Sequence, residues 1–292
     1  MTLLQAILLG IVQGLTEFIP ISSTAHLVLA SRVMNLALTP EQLTSSIAVI
    51  QLGTLIAVFV YFAGDIWNIS VAFVRDHFVL LKDGRRDQFN RTNDHARLSP
   101  EAWLGWLVII GSLPVAIVGL AFKKQIEGTF TKNLWVIATM MIVVALLLAI
   151  AEAVGKKRRR MQELGVGDAL AVGFAQCLAL IPGSSRSGST IMAGLFAGET
   201  RETAARFSFL LSIPAIAASG LLELKEALHI LPHDSLATLA AGTAVSGIVG
   251  YATIWFLLRY LRTHTTGVFI GYRLIVGALI LIMLLNGRIS AL

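Results

Sequence analysis

Long apolar stretches set the pattern of this chain. Six of them, at about 43–63, 103–122, 134–154, 204–222, 236–258 and 267–286, are long enough to cross a bilayer as helices, which takes about 20 residues. Pro114 and Pro214 lie inside two of these stretches and predict kinks there. The stretches at 3–36 and 166–200 are different. Each has an apolar run of about 14–17 residues, then a polar break, then a second short helical run. Runs of that length span a bilayer poorly, so each predicts a re-entrant helix–loop–helix hairpin. The fold class that follows is an all-α integral membrane protein, with six transmembrane helices plus two re-entrant hairpins.

The two breaks are nearly the same. The first reads Ile19-Pro20-Ile21-Ser22-Ser23-Thr24-Ala25-His26, the second Ile181-Pro182-Gly183-Ser184-Ser185-Arg186-Ser187-Gly188-Ser189-Thr190. Upstream, Gly10-Ile11-Val12-Gln13 matches Gly173-Phe174-Ala175-Gln176. The Ile-Pro pieces lie 162 residues apart and the Gly-X-X-Gln pieces 163, a slip of one residue. Each half then holds one hairpin followed by three spans, the first repeat at 1–155 and the second at 166–292. An odd number of spans per half inverts the second half relative to the first. The hairpins therefore enter from opposite faces, and their tips can meet near the midplane. The 64–101 connection reads as a basic loop, and its part at 75–101 has no counterpart in the second half. The chain is expected to form one membrane domain over 1–292.

Composition agrees with this picture. Mean hydropathy is +0.78, and 14% of residues are charged, against about 25% in soluble domains. The net charge of +6 is then loop charge that sets orientation, not the footprint of a nucleic-acid partner. With each hairpin returning to its side of entry, the loops at 64–101, 155–165 and 257–266 and the turn near 201 share one face. They carry fourteen basic residues against six on the other face, which predicts a cytoplasmic location for them and outward-facing termini. The run Lys156–Arg160 reads as an orientation signal or a contact for anionic lipid heads, with Glu152 beside it solvated. Cys177 is the single cysteine, which excludes an intrachain disulfide. Met1 leads into an apolar segment with no basic region or cleavage site, so no removable signal peptide is expected.

Polar groups inside such stretches are costly without a task. Gln13 and Glu17 are four residues apart and share a helix face. They are candidates for holding a metal through oxygen, with Glu17 also a candidate general base. Ser22, Ser23 and Thr24 open the next helix, where hydroxyls commonly serve as N-caps. His26 follows Ser23 by three residues and shares its face. In the second break, Arg186 stands among Ser184, Ser185, Ser187, Ser189 and Thr190 at a helix start, with Gly183 and Gly188 permitting close backbone approach. Such a grouping suits an anion, or Arg186 pairs with a carboxylate such as Glu17. The pattern is not a P-loop, which ends in Gly-Lys-Ser/Thr. Gln51 and Arg273 are weaker candidates inside apparent spans. His77, His95, His229, His233 and His264 have no ligand-like spacing.

Gln13 to His26 resembles the Glu/Gln-rich motif of bacterial undecaprenyl pyrophosphate phosphatases of the bacitracin-resistance type. Pro182 to Thr190 resembles that family's second motif, Pro-Gly-X-Ser-Arg-Ser-X-X-Thr, and Val49-Ile50-Gln51-Leu52-Gly53 is also similar to the family. Ala25 stands where many members have Gly. The resemblance runs along essentially the whole chain and is weakest at 75–101. It implies an integral membrane enzyme of the bacterial inner membrane, dependent on a divalent cation. That enzyme would convert undecaprenyl pyrophosphate to undecaprenyl phosphate and inorganic phosphate, recycling the carrier for peptidoglycan synthesis and conferring bacitracin resistance.

Motif matching assigns functional roles to Gln13, Glu17, Ser23, His26, Ser185, Arg186 and Thr190. In the resulting scheme Ser185, Arg186, Ser187 and Thr190 bind phosphate, and Glu17 with Gln13 binds Mg²⁺ or Ca²⁺, hard cations that favour oxygen. His26 moves a proton near neutral pH. The nucleophile is Ser23, His26 or an activated water. The site is expected to open to the outer face, where wall synthesis releases the lipid. The rival class is a lipid-phosphate transporter, since inverted repeats with broken helices are also a transporter architecture. Polyprenyl pyrophosphate and membrane lipids are the expected partners, and oligomeric state is open, a homo-oligomer included.

Overall fold

A computed structural model describes residues 1–83, 98–122, 133–230 and 236–291, and everything in it is helix or connection apart from one isolated bridge between Arg159 and Glu199. Two short helices come first, α1 (Leu3–Thr16) and α2 (Ser23–Val33). They are followed by α3 (Pro40–Tyr61), α4 (Ala63–Asp83), α5 (Pro100–Ala121) and α6 (Leu134–Val154). A second short pair, α7 (Val166–Cys177) and α8 (Arg186–Phe196), precedes α9 (Arg201–Ile230), α10 (Leu236–Leu261) and α11 (Gly267–Leu285). Six of the described helices are long and apolar enough to cross a membrane: α3, α5, α6, α9, α10 and α11. They match the six stretches expected from the sequence, and α5 and α9 run on through Pro114 and Pro214. Their outer faces carry exposed Ile56, Leu113, Ile117, Leu146, Ile248 and Leu279, a surface suited to lipid. The protein is a multi-pass membrane protein.

One expectation needs correction. Residues 63–83 form a helix, not part of a loop, and only 84–97 of the 64–101 segment lie outside the described residues. Trp67, Val71, Val74, Phe78 and Leu81 recur at helical spacing and stand exposed on one face of α4. Its other face packs on α5, where Trp106 Nε1 donates to His77 Nε2 at 3.0 Å. Asp65 in the first turn and Lys82 in the last suit the helix dipole.

Glycines decide how closely the helices meet. A Cβ on Gly10 of α1 would lie 2.3 Å from the Gly242 carbonyl oxygen of α10, and one on Gly173 of α7 would lie 2.3 Å from the Gly111 oxygen of α5. Each short helix thus rests backbone to backbone on a span from the other half of the sequence. Small residues at such contacts are the usual means of close helix packing in membranes. Phe18, Phe62 and Phe209 fill the buried space between α1, α3 and α9.

Both short pairs are hairpins whose open ends lie together. Gln5 Nε2 donates to the Met34 carbonyl at 3.3 Å, joining the start of α1 to the end of α2. The first hairpin's end adjoins the chain's C-terminal segment, through Arg32 to the Ser290 carbonyl at 2.8 Å. In the second hairpin Arg159 bridges Asp168 at the start of α7 and the Ala197 carbonyl just beyond α8. That end gathers ion pairs: Arg206–Asp65, Arg262–Glu202 and Arg201–Glu152. Glu152 is therefore not a solvated residue, since it also accepts from the Thr266 hydroxyl at 2.8 Å. Glu199, fully buried here, has no hydrogen-bond partner on either carboxyl oxygen. Burial pushes its carboxyl up to about 7, helped by the Asp168 charge and opposed by Arg159.

The two hairpins keep one register. Leu3 and Val166, Ser23 and Arg186, and Val33 and Phe196 each stand 163 residues apart. This is the spacing of Gly10 and Gly173, so the slip seen in the Ile-Pro pieces disappears when helix starts are matched. Ser22 therefore corresponds to Ser185, and Ser23 to Arg186.

Candidate active site

The site forms where the two hairpin turns touch. Ser22 caps α2 and Ser185 caps α8, and both hold positive φ, 77° and 68°. Such conformations are strained for residues other than glycine and persist where the surroundings enforce them. The Ser22 hydroxyl accepts from Ala25 N at 3.4 Å, which leaves Ser23 free of the capping task. The Ser185 hydroxyl accepts from Gly188 N at 3.1 Å and lies 3.1 Å from the Ser187 hydroxyl. Gly183 turns the second break at φ 90°, where a Cβ would fall 2.2 Å from the Ile137 carbonyl oxygen.

Glu17, one residue past α1, is the centre. Its Oε2 accepts from Gln13 Nε2 at 3.0 Å and from the Ser23 hydroxyl at 2.8 Å. Its Oε1 accepts from Arg186 Nη2 at 3.0 Å and from Gln51 Nε2 at 3.4 Å. Glu17 is 6% exposed and the Arg186 side chain 11%. The pair is thus a desolvated ion pair with three further donors on the carboxylate. Arg186 Nη1 is buried without a partner, as are the hydroxyls of Ser184 and Ser189. Buried polar atoms are nearly always satisfied in native proteins, and these three, all from residues 184–189, are not.

The other candidates divide. Ser187 ties the hairpins together, its hydroxyl donating to the Ile19 carbonyl at 3.2 Å. The Thr190 hydroxyl is turned onto the Arg186 carbonyl at 2.7 Å and the Ser208 hydroxyl at 2.6 Å, which joins α8 to α9. His26 makes no hydrogen bond to Glu17 or Ser23. Its Nδ1 lies 2.7 Å from the Ser22 carbonyl, and its Nε2 lies 2.7 Å from the Tyr272 hydroxyl. Nothing in the sequence singled out Tyr272 beyond its place beside Arg273 within a span.

Arg273 is fully buried, and among the described residues its hydrogen bonds go to backbone carbonyls and not to a carboxylate. It donates only to backbone carbonyls: Pro20 in the first break at 3.2 Å, and Gly183 and Ser184 in the second at 2.9 and 3.1 Å. Met140 and Met141 of α6 complete the set at 3.2 and 3.1 Å. One side chain thus pins both turns to α6, with its charge beside the turn that leads into α8.

Among the described residues no group of three or more His, Cys, Asp or Glu is placed to hold a metal. One carboxylate, two amides and one hydroxyl meet at Glu17. That oxygen set is incomplete for a protein-only cage but fits a Mg²⁺-type ion carried largely by substrate phosphates and water.

The sequence family described as bacitracin resistance protein BacA matches this chain over residues 6–279. A protein of Syntrophobacter fumaroxidans named undecaprenyl-diphosphatase is 52% identical over 285 residues, covering 97% of this chain and 98% of its own. Proteins of the same name from Mycolicibacterium gilvum and Chlorobium luteolum are each 46% identical, covering 100% and 99% of this chain and the same shares of their own.

Proposed function

This chain belongs to the bacitracin resistance protein BacA family, and on that premise we propose that the Glu17–Arg186 cluster is where it hydrolyses undecaprenyl pyrophosphate to undecaprenyl phosphate and inorganic phosphate. The observation that carries this assignment is the unfinished valence of the second turn. Arg186 Nη1 and the hydroxyls of Ser184 and Ser189 are buried without hydrogen-bond partners, and phosphate oxygens would supply the acceptors that this segment lacks. Binding such an anion next to a buried carboxylate is unfavourable unless a cation or proton intervenes. Glu17 and Gln13 would hold a divalent cation that, when bound, neutralises charge on the phosphates.

Chemistry at phosphorus needs a placed nucleophile and stabilised oxygens. Ser23 already donates to Glu17 at 2.8 Å, which supports a reading in which the carboxylate orients that hydroxyl, or a water in its position, toward phosphorus. His26 is less suited to attack, since the Ser22 carbonyl and the Tyr272 hydroxyl occupy both ring nitrogens. Its task is proton transfer. Arg186 holds the phosphate oxygens, and Arg273 keeps both turns in register behind it. A lipid-phosphate transporter is not favoured: anion binding alone requires neither Glu17 nor its bond to Ser23.

The hairpins are read as re-entrant and the halves as an inverted repeat. The common 163-residue register and the reciprocal glycine contacts of α1 on α10 and α7 on α5 support this. So does the placement of the hairpins' open ends, one beside the C-terminal segment and the other beside Arg201 and Arg262. The basic-residue bias then sets the second end in the cytoplasm and the termini outside, with the site opening outward. An impermeant thiol reagent should label a cysteine placed beside Ser23 in intact cells, once Cys177 is replaced; protection there with labelling only after lysis would reverse the assignment.

The direct test is phosphate release by purified protein from a polyprenyl pyrophosphate, with and without chelator. Wild type should release phosphate with metal present, and Glu17→Ala and Arg186→Ala should be slowed by at least 100-fold. Release by Arg186→Ala at the wild-type rate would defeat the site assignment.

A further inference from the structure

His26 has one lone pair available for a proton, and the geometry says what occupies it. A backbone carbonyl can only accept, so at 2.7 Å from the Ser22 oxygen Nδ1 carries the hydrogen. Nε2 of the neutral ring is therefore the acceptor, and at 2.7 Å from it stands the Tyr272 hydroxyl. The two rings also stack, with centroids 5.5 Å apart and planes 14° from parallel. The imidazole plane is fixed by that stack and by the Ser22 contact. Tyr272 is 41% exposed, and among the described residues its oxygen has no hydrogen-bond partner other than His26. His26 has no comparable opening, because neither of its nitrogens is free.

We propose that Tyr272 is a proton relay between His26 and the hydrolytic step, which deepens the phosphatase assignment and rests on it. The nucleophilic water gives its proton to the Tyr272 oxygen while the Tyr272 proton passes to Nε2. One O–H bond of water and the original Tyr272 O–H bond break; a new Tyr272 O–H bond and an Nε2–H bond form. The water oxygen bonds to phosphorus as the bond from phosphorus to its leaving oxygen breaks. Tyr272 ends neutral and His26 ends as imidazolium, held by the Ser22 carbonyl. The reverse transfer then protonates the departing group and restores the pair. A tyrosine suits the relay because its hydroxyl donates and accepts at once, whereas a phenylalanine would keep the stack and lose the path.

This arrangement also accounts for the position of Tyr272 in the chain. It precedes Arg273, which fixes Pro20, Gly183 and Ser184. One turn of α11 thus sets both the backbone of the two breaks and the outlet of the histidine.

The test compares Tyr272→Phe, His26→Ala and the double variant in purified form, alongside wild type, by phosphate release across pH. Tyr272→Phe should lower kcat by about 100-fold, the lower end of what general acid–base catalysis contributes, with KM within about twofold. The double variant should be no slower than His26→Ala, because both lesions cut one path. Fluorinated tyrosine at position 272, with shape kept and a more acidic hydroxyl, should shift the pH profile of kcat. That measurement stands even if the phenylalanine variant folds poorly. Wild-type kcat and pH profile in Tyr272→Phe, or effects that multiply in the double variant, would overturn the relay. So would full activity in His26→Ala. In each case wild-type turnover in the same preparation would leave the phosphatase assignment standing, and only its absence would remove that.

Discussion

Replacing Glu17 by Gln keeps the shape of the side chain and removes its charge. In the native protein that charge answers Arg186 at 3.0 Å, with the two side chains 4% and 11% exposed. Removing one partner of a buried ion pair leaves the other unpaired in a low-dielectric site and costs about 3–5 kcal/mol. Arg186 is already short of acceptors, since Nη1 has none, so no relaxation within the turn relieves it. For a chain of this size each kcal/mol lowers the midpoint of unfolding by roughly 2–4 °C. Glu17→Gln should therefore melt about 6–20 °C below wild type in detergent. Inorganic pyrophosphate should reverse much of the loss, because an anion supplies what Arg186 lacks; a ligand at 100 times its Kd contributes about 2.7 kcal/mol. Wild type should respond less, since there the anion must compete with Glu17. Thermal unfolding of both proteins with and without pyrophosphate measures the difference. Equal melting temperatures, together with an equal response to pyrophosphate, would refute the claim that Glu17 and Arg186 are mutually dependent.

Three more outcomes follow from other parts of the fold. Arg273→Lys should lower kcat more than tenfold, because one ammonium cannot serve carbonyls in both turns and on α6. Each buried carbonyl left without a donor costs about 1–3 kcal/mol, so unfolding should fall in step with phosphate release, and wild-type kcat would contradict the clamp. Gly10→Ala and Gly173→Ala should each cost about 1–3 kcal/mol by forcing a helix pair apart. Because they separate different pairs, denaturant unfolding of the double variant should show near-additive loss. Burial pushes the Glu199 carboxyl up to about 7 from its ordinary 4.5. The unfolded chain therefore loses that proton first, and Glu199 erodes stability as pH rises from about 4.5 through 7, by roughly 3 kcal/mol in full. Glu199→Gln should match wild type at pH 4.5 and exceed it at pH 8; the same difference at both pH values would rule out titration of Glu199 as the cause.

The spans were legible because a bilayer demands about 20 apolar residues in a row, and the six stretches supply them without help from packing. The residues of the cluster were legible too, since Glu17 and Arg186 stand in apolar surroundings where a charge has to be answered. Their pairing was one of two readings the repeat offered, and contact across 169 residues came only with the fold. Helix α4 was missed because its average polarity resembles a loop, although its Trp67-to-Leu81 stripe carried the helical period. The partner of His26 was missed for a different reason. Sharing a helix face with Ser23 is a local relation, whereas the hydrogen bond to Tyr272 spans 246 residues.

The sequence by itself determined that this protein lives in a membrane, where its chain breaks, and which side chains are too costly there to be idle. Those are local facts, fixed by the transfer energy of each residue and the length of each run. Only the tertiary structure decided who answers whom: Ser23 to Glu17, Glu17 to Arg186, His26 to Tyr272, and Arg273 to the carbonyls of both turns. Such pairings depend on glycines that let distant helices touch; the 163-residue register is written in the spacing of residues along the chain, but the distances between helices and the partner each side chain finds are not.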